Sequence, residues 1–182
     1  MNKINVLVPI ANGIEELEFV SIVDILRRAS ISVRVSTIED REISGAHQIK
    51  IVAESDFIDE ELADYDAIIL PGGTKAAESF SEFTPLINSL KDFAQHNKLI
   101  AAICASPARV LARHGLLNKH QATCYPSLNA QLKHYLNQAV VIDGHIITSQ
   151  GPGTAMAFAF SLVEYLSSSA TLKQVKADLL VA

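Results

Sequence analysis

Short runs of β-type apolar residues alternate along this chain with stretches of helical period. Residues 4–10 form one such run, and Ala11-Asn12-Gly13 ends it. Residues 15–29 then read as a helix: Leu17, Val20, Val23 and Leu26, with Phe19, Ile22 and Ile25, give a broad apolar face. Glu15 and Glu16 in its first turn and Arg27 and Arg28 in its last suit the helix dipole. Asp24 and Arg28, four apart, need be no more than a surface ion pair. Ser32–Thr37 alternates as a second strand, and residues 47–53 form another β-like run.

Ala67–Leu70 reads as a buried strand stopped by Pro71-Gly72-Gly73. Thr84–Gln95 is a helix with Pro85 near its start. Leu99–Ile103 is a further buried strand, followed at once by Cys104 and a helix over 107–114 that Gly115 caps. Residues 122–125 are short and β-like. Residues 139–142 and 145–149 flank Asp143-Gly144 as a hairpin. Gly151-Pro152-Gly153-Thr154 opens a long helix to about Leu166, and the tail from Thr171 is a last short helix. The Gly151–Thr154 segment reads equally as an anion site at a helix start or as a structural turn.

Fully apolar strands alternating with helices predict an α/β fold, a mostly parallel sheet sandwiched by helices. In such sheets ligands sit beyond the carboxyl ends of the strands. Pro71-Gly72-Gly73 and Cys104 both fall at such ends. With 182 residues and neither linker nor repeat, a single domain over 1–182 is expected.

Composition narrows the function classes. Apolar residues make up 49% of the chain, charged residues 19%, and the net charge is -5. No Lys/Arg cluster interleaved with aromatics is present, so no specific nucleic-acid partner is expected. The first apolar run is too short and too interrupted for a signal peptide, and no run of membrane-spanning length occurs. Two cysteines, Cys104 and Cys124, are too few for a disulfide framework. The six histidines are scattered, His145 falling in an exposed loop. The expectation is a cytoplasmic protein with reduced thiols, no metal, no cofactor and no membrane partner.

Cys104 carries the candidate chemistry. A strand stops and a helix starts around it within a few residues, and small residues, Ala102 and Ser106, flank it. Those are the features of a nucleophile elbow, whose crowding requires small neighbours. Backbone N–H groups and a helix start there favour the thiolate and predict a lowered thiol pKa. The alternative is a buried cysteine acting as a small hydrophobe. Glu18 interrupts the apolar run of the first helix and reads, by itself, as a surface carboxylate. Gly72 and Gly73 read as an ordinary turn or as a place of close backbone approach. Cys124 reads as a strand cysteine facing away from Tyr125.

Five segments, in order and at matching spacing, resemble the ThiJ/PfpI superfamily, in the branch of the parkinsonism-associated protein DJ-one and bacterial YajL. They are Gly13-Ile14-Glu15-Glu16-Leu17-Glu18, Asp24-Ile25-Leu26-Arg27-Arg28-Ala29, Leu70-Pro71-Gly72-Gly73, Ala101-Ala102-Ile103-Cys104-Ala105 and Thr148-Ser149-Gln150-Gly151-Pro152-Gly153-Thr154. The fold this implies is flavodoxin-like, or class I glutamine-amidotransferase-like, with a cysteine nucleophile elbow. The resemblance also implies that Glu18 is protonated, points at Cys104 and shuttles a proton. It implies an oxyanion hole of the Gly73 and Ala105 N–H groups, with Gly72 and Tyr125 lining the site. Tyr125 stands where the parkinsonism-associated protein has a histidine. Ala105 stands where the protease-like branch has one, so proteolysis is not expected.

The function so implied is cysteine-dependent handling of reactive dicarbonyls or their early adducts, of the glyoxalase or deglycase type. Its partners would be a small aldehyde or dicarbonyl substrate or a glycated protein, in a homodimer. The alternative is an oxidative-stress sensor and chaperone for misfolded clients, working through oxidation of Cys104 to sulfinic acid.

Overall fold

The computed structural model describes residues 4–181. Strand β1 (Asn5–Ile10) leads into helix α1 (Glu16–Arg28), β2 (Ser32–Thr37), and a small hairpin of β3 (Glu42–Ser44) and β4 (Lys50–Val52). After β5 (Ser55–Asp56) come β6 (Ala67–Leu70), α2 (Thr74–Glu82), α3 (Thr84–Gln95) and β7 (Leu99–Ile103). A helical stretch wound in the wider π pattern, Pro107–Ala112, follows the elbow. The chain closes with β8 (Val140–Asp143), β9 (Ile146–Ser149), α4 (Ala155–Leu166) and α5 (Ser169–Asp178).

The main sheet has seven strands in the order β5-β2-β1-β6-β7-β9-β8, parallel except at the β8–β9 edge. Every residue of β6, β7 and β9 is buried, which is what helices on both faces of a parallel sheet require. Helices α1, α4 and α5 pack in one group; α2, α3 and the stretch after the elbow pack in another. Each Ile or Leu fully buried in this core, such as Leu7, Ile68 or Ile100, contributes about 1.5–3 kcal/mol. Strand order reverses between β1 and β6, so the loops leaving those strands diverge and open a crevice. The Glu15 N–H donates to the Gly72 carbonyl across that crevice at 3.1 Å, and the Cys104 N–H donates to the Ser149 carbonyl at 3.0 Å.

Several elements differ from the sequence reading. Helix α2 lies outside the sequence reading; it is short and its core face, Ala76, Ala77, Phe80 and Ser81, is built mostly from small residues. Residues 47–49 turn rather than extend, and only Lys50–Val52 pairs, with β3. Residues 122–125 form no strand; one bridge joins Ala122 to Tyr135. The β8–β9 register pairs Asp143 with Ile146, so Gly144 and His145 make the turn, one residue later than expected. His145 is half-buried against His120, ring centroids 5.3 Å apart, rather than exposed. The helix after the elbow ends at Ala112, with Gly115 at φ 78° just beyond it, and the last helix begins at Ser169. Leu17 and Val20 are more than half exposed, so the buried face of α1 is narrower than its apolar face. No helix among the described residues is long and apolar enough to cross a membrane.

Candidate active site around Cys104

The end of β7 forces Cys104 into the left-handed region, at φ 65°. A non-glycine residue held there costs about 1–3 kcal/mol and persists only where its surroundings fix it. Ala102 and Ser106 on either side are fully buried, and the Ser106 hydroxyl donates to the Pro71 carbonyl at 2.6 Å. That bond ties the elbow to the loop after β6. On the other side, the Tyr125 N–H donates to the Cys104 carbonyl at 2.8 Å. The cysteine is therefore clamped by its own strand and two neighbouring loops.

Glu18 reaches the same point from α1. Its backbone N–H is held by the Glu15 side chain, the N-cap of the helix, at 2.8 Å. Its side chain is fully buried, and Oε2 accepts the Gly72 N–H at 2.8 Å. Oε1 is buried with no hydrogen-bond partner, and the carboxyl and the Cys104 Cβ flank the same point beside Gly72. Burial pushes the Glu18 pKa up to about 8, and the Glu15 charge adds to the rise against the Gly72 hydrogen bond and the neighbouring Cys104 thiol. The carboxyl is thus mostly neutral at pH 7. Since Oε2 accepts from Gly72, the proton belongs on Oε1.

The Gly73 and Ala105 N–H groups lie close enough to the Cys104 sulfur to lower its pKa. Gly73, at φ 97°, is also the residue from which α2 starts, so the sulfur faces a helix N-terminus the sequence reading lacked. These donors do not dominate. Burial first, then the Glu18 charge, push the Cys104 thiol up to about 12. This corrects the expectation of a lowered pKa: a desolvated sulfur beside a carboxyl keeps its proton, whatever the elbow offers. Cys104 and Glu18 together hold two protons near neutrality, one of them on each.

A pocket of 320 Å³ opens over the sulfur. Tyr125, Leu128 and Pro152 give it apolar walls, and Glu15, Thr74 and Arg109 give it polar ones. Gly73, Cys104 and Ala105 form its floor. Gly72 does not line it but lies behind the floor, where a Cβ would stand 2.4 Å from Glu18 Oε2 and 2.5 Å from the Cys104 Cβ. No histidine lines this pocket.

Cys124 is buried away from the pocket, and burial pushes its thiol up to about 11. The Gly151–Thr154 segment is knit internally: Thr154 Oγ1 lies 3.1 Å from the Gly151 N–H and 2.7 Å from the Ser149 hydroxyl. Asp24 and Arg28 form an exposed pair at 2.7 Å.

Glu15, Arg109 and the Glu16–His47 pair were not read from the sequence as site residues. Glu15 both caps α1 and faces the pocket, and Arg109 enters it from the turn after the elbow. Glu16, His47 and Glu15 bring ligand-type atoms within 4.8 Å of one another, enough to hold a cation. Glu16 is already engaged, accepting the His47 and Ile49 N–H groups at 2.7 and 3.3 Å. The tandem Glu15-Glu16 was a visible signal; the return of residue 47 to it was not.

A profile of the DJ-1/PfpI family matches residues 4–165. Protein DJ-1 homolog B of Arabidopsis thaliana is 43% identical over 87% of this chain, which spans only 37% of that relative's length. Protein dj-1beta of Drosophila melanogaster is 36% identical over 97% of this chain and 96% of its own. The glutathione-independent glyoxalase DJ-1 of Schizosaccharomyces pombe is 37% identical over 87% of this chain and 89% of its own. Among solved structures, oxidized Toxoplasma gondii DJ-1 superposes with a TM-score of 0.95 at 39% identity, covering 98% of this chain and 99% of its own.

Proposed function

Because the chain belongs to the DJ-1/PfpI family, we propose that it converts 2-oxoaldehydes such as methylglyoxal, or their early adducts, to 2-hydroxy acids through Cys104. The observation that carries this reading is the buried, neutral Glu18 carboxyl set against Cys104 beside a pocket without a histidine. Similarity to a relative named as a glyoxalase supports it.

The chemistry balances within the pair. The Cys104 sulfur attacks the aldehyde carbon, and its proton passes to Glu18 as the S–C bond forms. Glu18 in turn gives its Oε1 proton to the carbonyl oxygen, so the carboxyl ends as it began and a hemithioacetal results. The Gly73 and Ala105 N–H groups, beside the sulfur on the pocket floor, stabilise the oxygen charge that develops there. Moving the hydrogen from the aldehyde carbon to the neighbouring carbonyl carbon gives a 2-hydroxy thioester. Water then hydrolyses the thioester, releasing the acid and restoring the thiol. The net change is addition of one water, with no external oxidant or reductant.

Methylglyoxal turnover by the wild type, Cys104→Ser and Glu18→Gln tests this. Loss in both variants is the expected result, and equal rates in all three would overturn it.

A second reading rests on the same atoms. Cys104 is partly buried at the pocket floor, beside one carboxyl and two amide donors, which suits a sulfinate. A peroxide would convert the thiol to sulfenic acid plus water, and a second would give sulfinic acid plus water. A mass gain of two oxygens on Cys104 after mild peroxide, absent in Cys104→Ala, is expected; oxidation of Cys124 first would remove this reading. A homodimer through the exposed Leu17 and Val20 of α1 belongs to the same proposal.

A further inference from the structure

A groove of 420 Å³ adjoins the cysteine pocket, and Arg109 lines both. Arg113, four residues on, and Gln131 complete its polar wall. Two guanidinium groups face a single carboxylate there, Glu78, which pairs with Arg109. That local excess of positive charge stands out on a chain of net charge -5. The Arg109 side chain is 31% exposed, and its Nε–H is shut off from solvent with no hydrogen-bond partner. With Nη1 on Glu78 and Nε–H inaccessible, the Nη2 arm, which carries no hydrogen bond among the described residues, is the donor left to an incoming oxyanion. The planar guanidinium fork is suited to carboxylate and phosphate oxygens.

We propose that Arg109, backed by Arg113, forms an anion subsite, so that the preferred substrates are 2-oxoaldehydes carrying a carboxylate or phosphate at the end remote from the aldehyde. This rests on the function proposed above and names its substrate class. Arg109 reads the substrate; it does not take part in bond making. Glu15 lines the cysteine pocket but not the groove, so its carboxylate disfavours an anion over the sulfur and favours one placed toward the groove.

Two measurements test it. The first compares kcat/KM for methylglyoxal, for 4,5-dioxovalerate as the carboxylate arm, and for 3-phosphooxy-2-oxopropanal as the phosphate arm. In Arg109→Gln the ratio of anionic to neutral substrate should fall about tenfold or more, chiefly through KM. A fall on either arm supports the subsite and identifies its oxyanion. An unchanged ratio on both arms overturns it. Arg109→Lys, which keeps the charge and loses the fork, should fall between the two.

The second measurement needs no turnover: the rate of Cys104 alkylation by anionic iodoacetate relative to neutral iodoacetamide. That ratio should drop in Arg109→Gln. If the wild type turns over no methylglyoxal but the alkylation ratio still depends on Arg109, the catalytic reading fails and the subsite stands. If turnover occurs and neither ratio moves, the subsite alone is wrong.

Discussion

The Gly72 N–H donates to Glu18 Oε2 at 2.8 Å, and the absence of a side chain on Gly72 is what lets that carboxyl lie against Cys104. A Cβ at residue 72 would come within 2.4 Å of Oε2 and 2.5 Å of the Cys104 Cβ, distances no packed structure holds. The nearest atom is the end of a buried side chain with nowhere to retreat.

Gly72→Ala should therefore separate the carboxyl from the sulfur while leaving the distant sheet intact. Overpacking of this kind costs about 1–3 kcal/mol. A lower thermal midpoint and the loss of most methylglyoxal turnover are expected. Retained turnover with wild-type stability would mean the two groups need not be neighbours.

The Cys104 thiol should alkylate slowly near neutrality, since burial and Glu18 push its pKa up to about 12. Glu18→Gln removes the carboxylate charge that opposes the thiolate, so the alkylation profile with iodoacetamide should shift to lower pH. Turnover should nevertheless fall by about 100-fold or more, because the proton carrier is gone. A more reactive but less active cysteine is the signature expected. A wild-type profile midpoint below the free-thiol value of about 8.5 would contradict the burial argument.

Glu18 also makes stability depend on pH. Its pKa rises from 4.5 to about 8 on folding, so between those values the folded state binds more protons than the unfolded state. Its contribution is complete below pH 4.5, declines as pH rises, and becomes a full penalty above about 8. The slope it adds is at most about 1.4 kcal/mol per pH unit. Urea unfolding at pH 5 to 8 should show the wild type losing stability relative to Glu18→Gln. Parallel curves would mean that Glu18 keeps an ordinary pKa in the folded protein.

The alternation of apolar strands and helices made the parallel sheet legible, and the crowded Ile103-Cys104-Ala105 junction made the elbow legible, because both depend on local patterns. What local pattern could not convey was depth. Glu18 looks like a surface carboxylate until α1 packs, and Leu17 and Val20 look like core until it does. The same blindness produced the wrong sign for Cys104. A strand-to-helix turn advertises its N–H donors in sequence, but the desolvation that outweighs them comes from loops far along the chain. Helix α2 was missed because it is only nine residues long and, Phe80 apart, faces the core with alanine and serine. Arg109 gave no signal, since an arginine one turn into a helix is an ordinary sight until its neighbours define a pocket.

Glu16 holds the one loop that reaches the pocket from the β3–β4 hairpin. Its buried carboxylate accepts the His47 and Ile49 N–H groups and meets His47 Nδ1 at 3.0 Å. Those bonds seat residues 45–49, and Ala46 of that loop lines the pocket over Cys104. Burial raises the Glu16 pKa, but the hydrogen bonds outweigh it and hold the group below its usual value of 4.5. Its contribution is therefore present above pH 4.5 and lost as pH falls through the lowered value. Glu16→Ala leaves two loop N–H groups without their acceptor. At about 1.5–3 kcal/mol for each hydrogen bond to a charged group, a loss of about 3–6 kcal/mol is expected at neutral pH. That loss should shrink as unfolding is measured at increasingly acid pH below 4.5, as the wild-type carboxylate becomes protonated. Amide exchange at His47 and Ile49 should speed up in the variant, and KM should rise more than kcat falls, since the loop shapes the pocket and touches no reacting atom. A variant as stable as the wild type, with exchange at both amides unchanged, would show that the loop is held by other contacts.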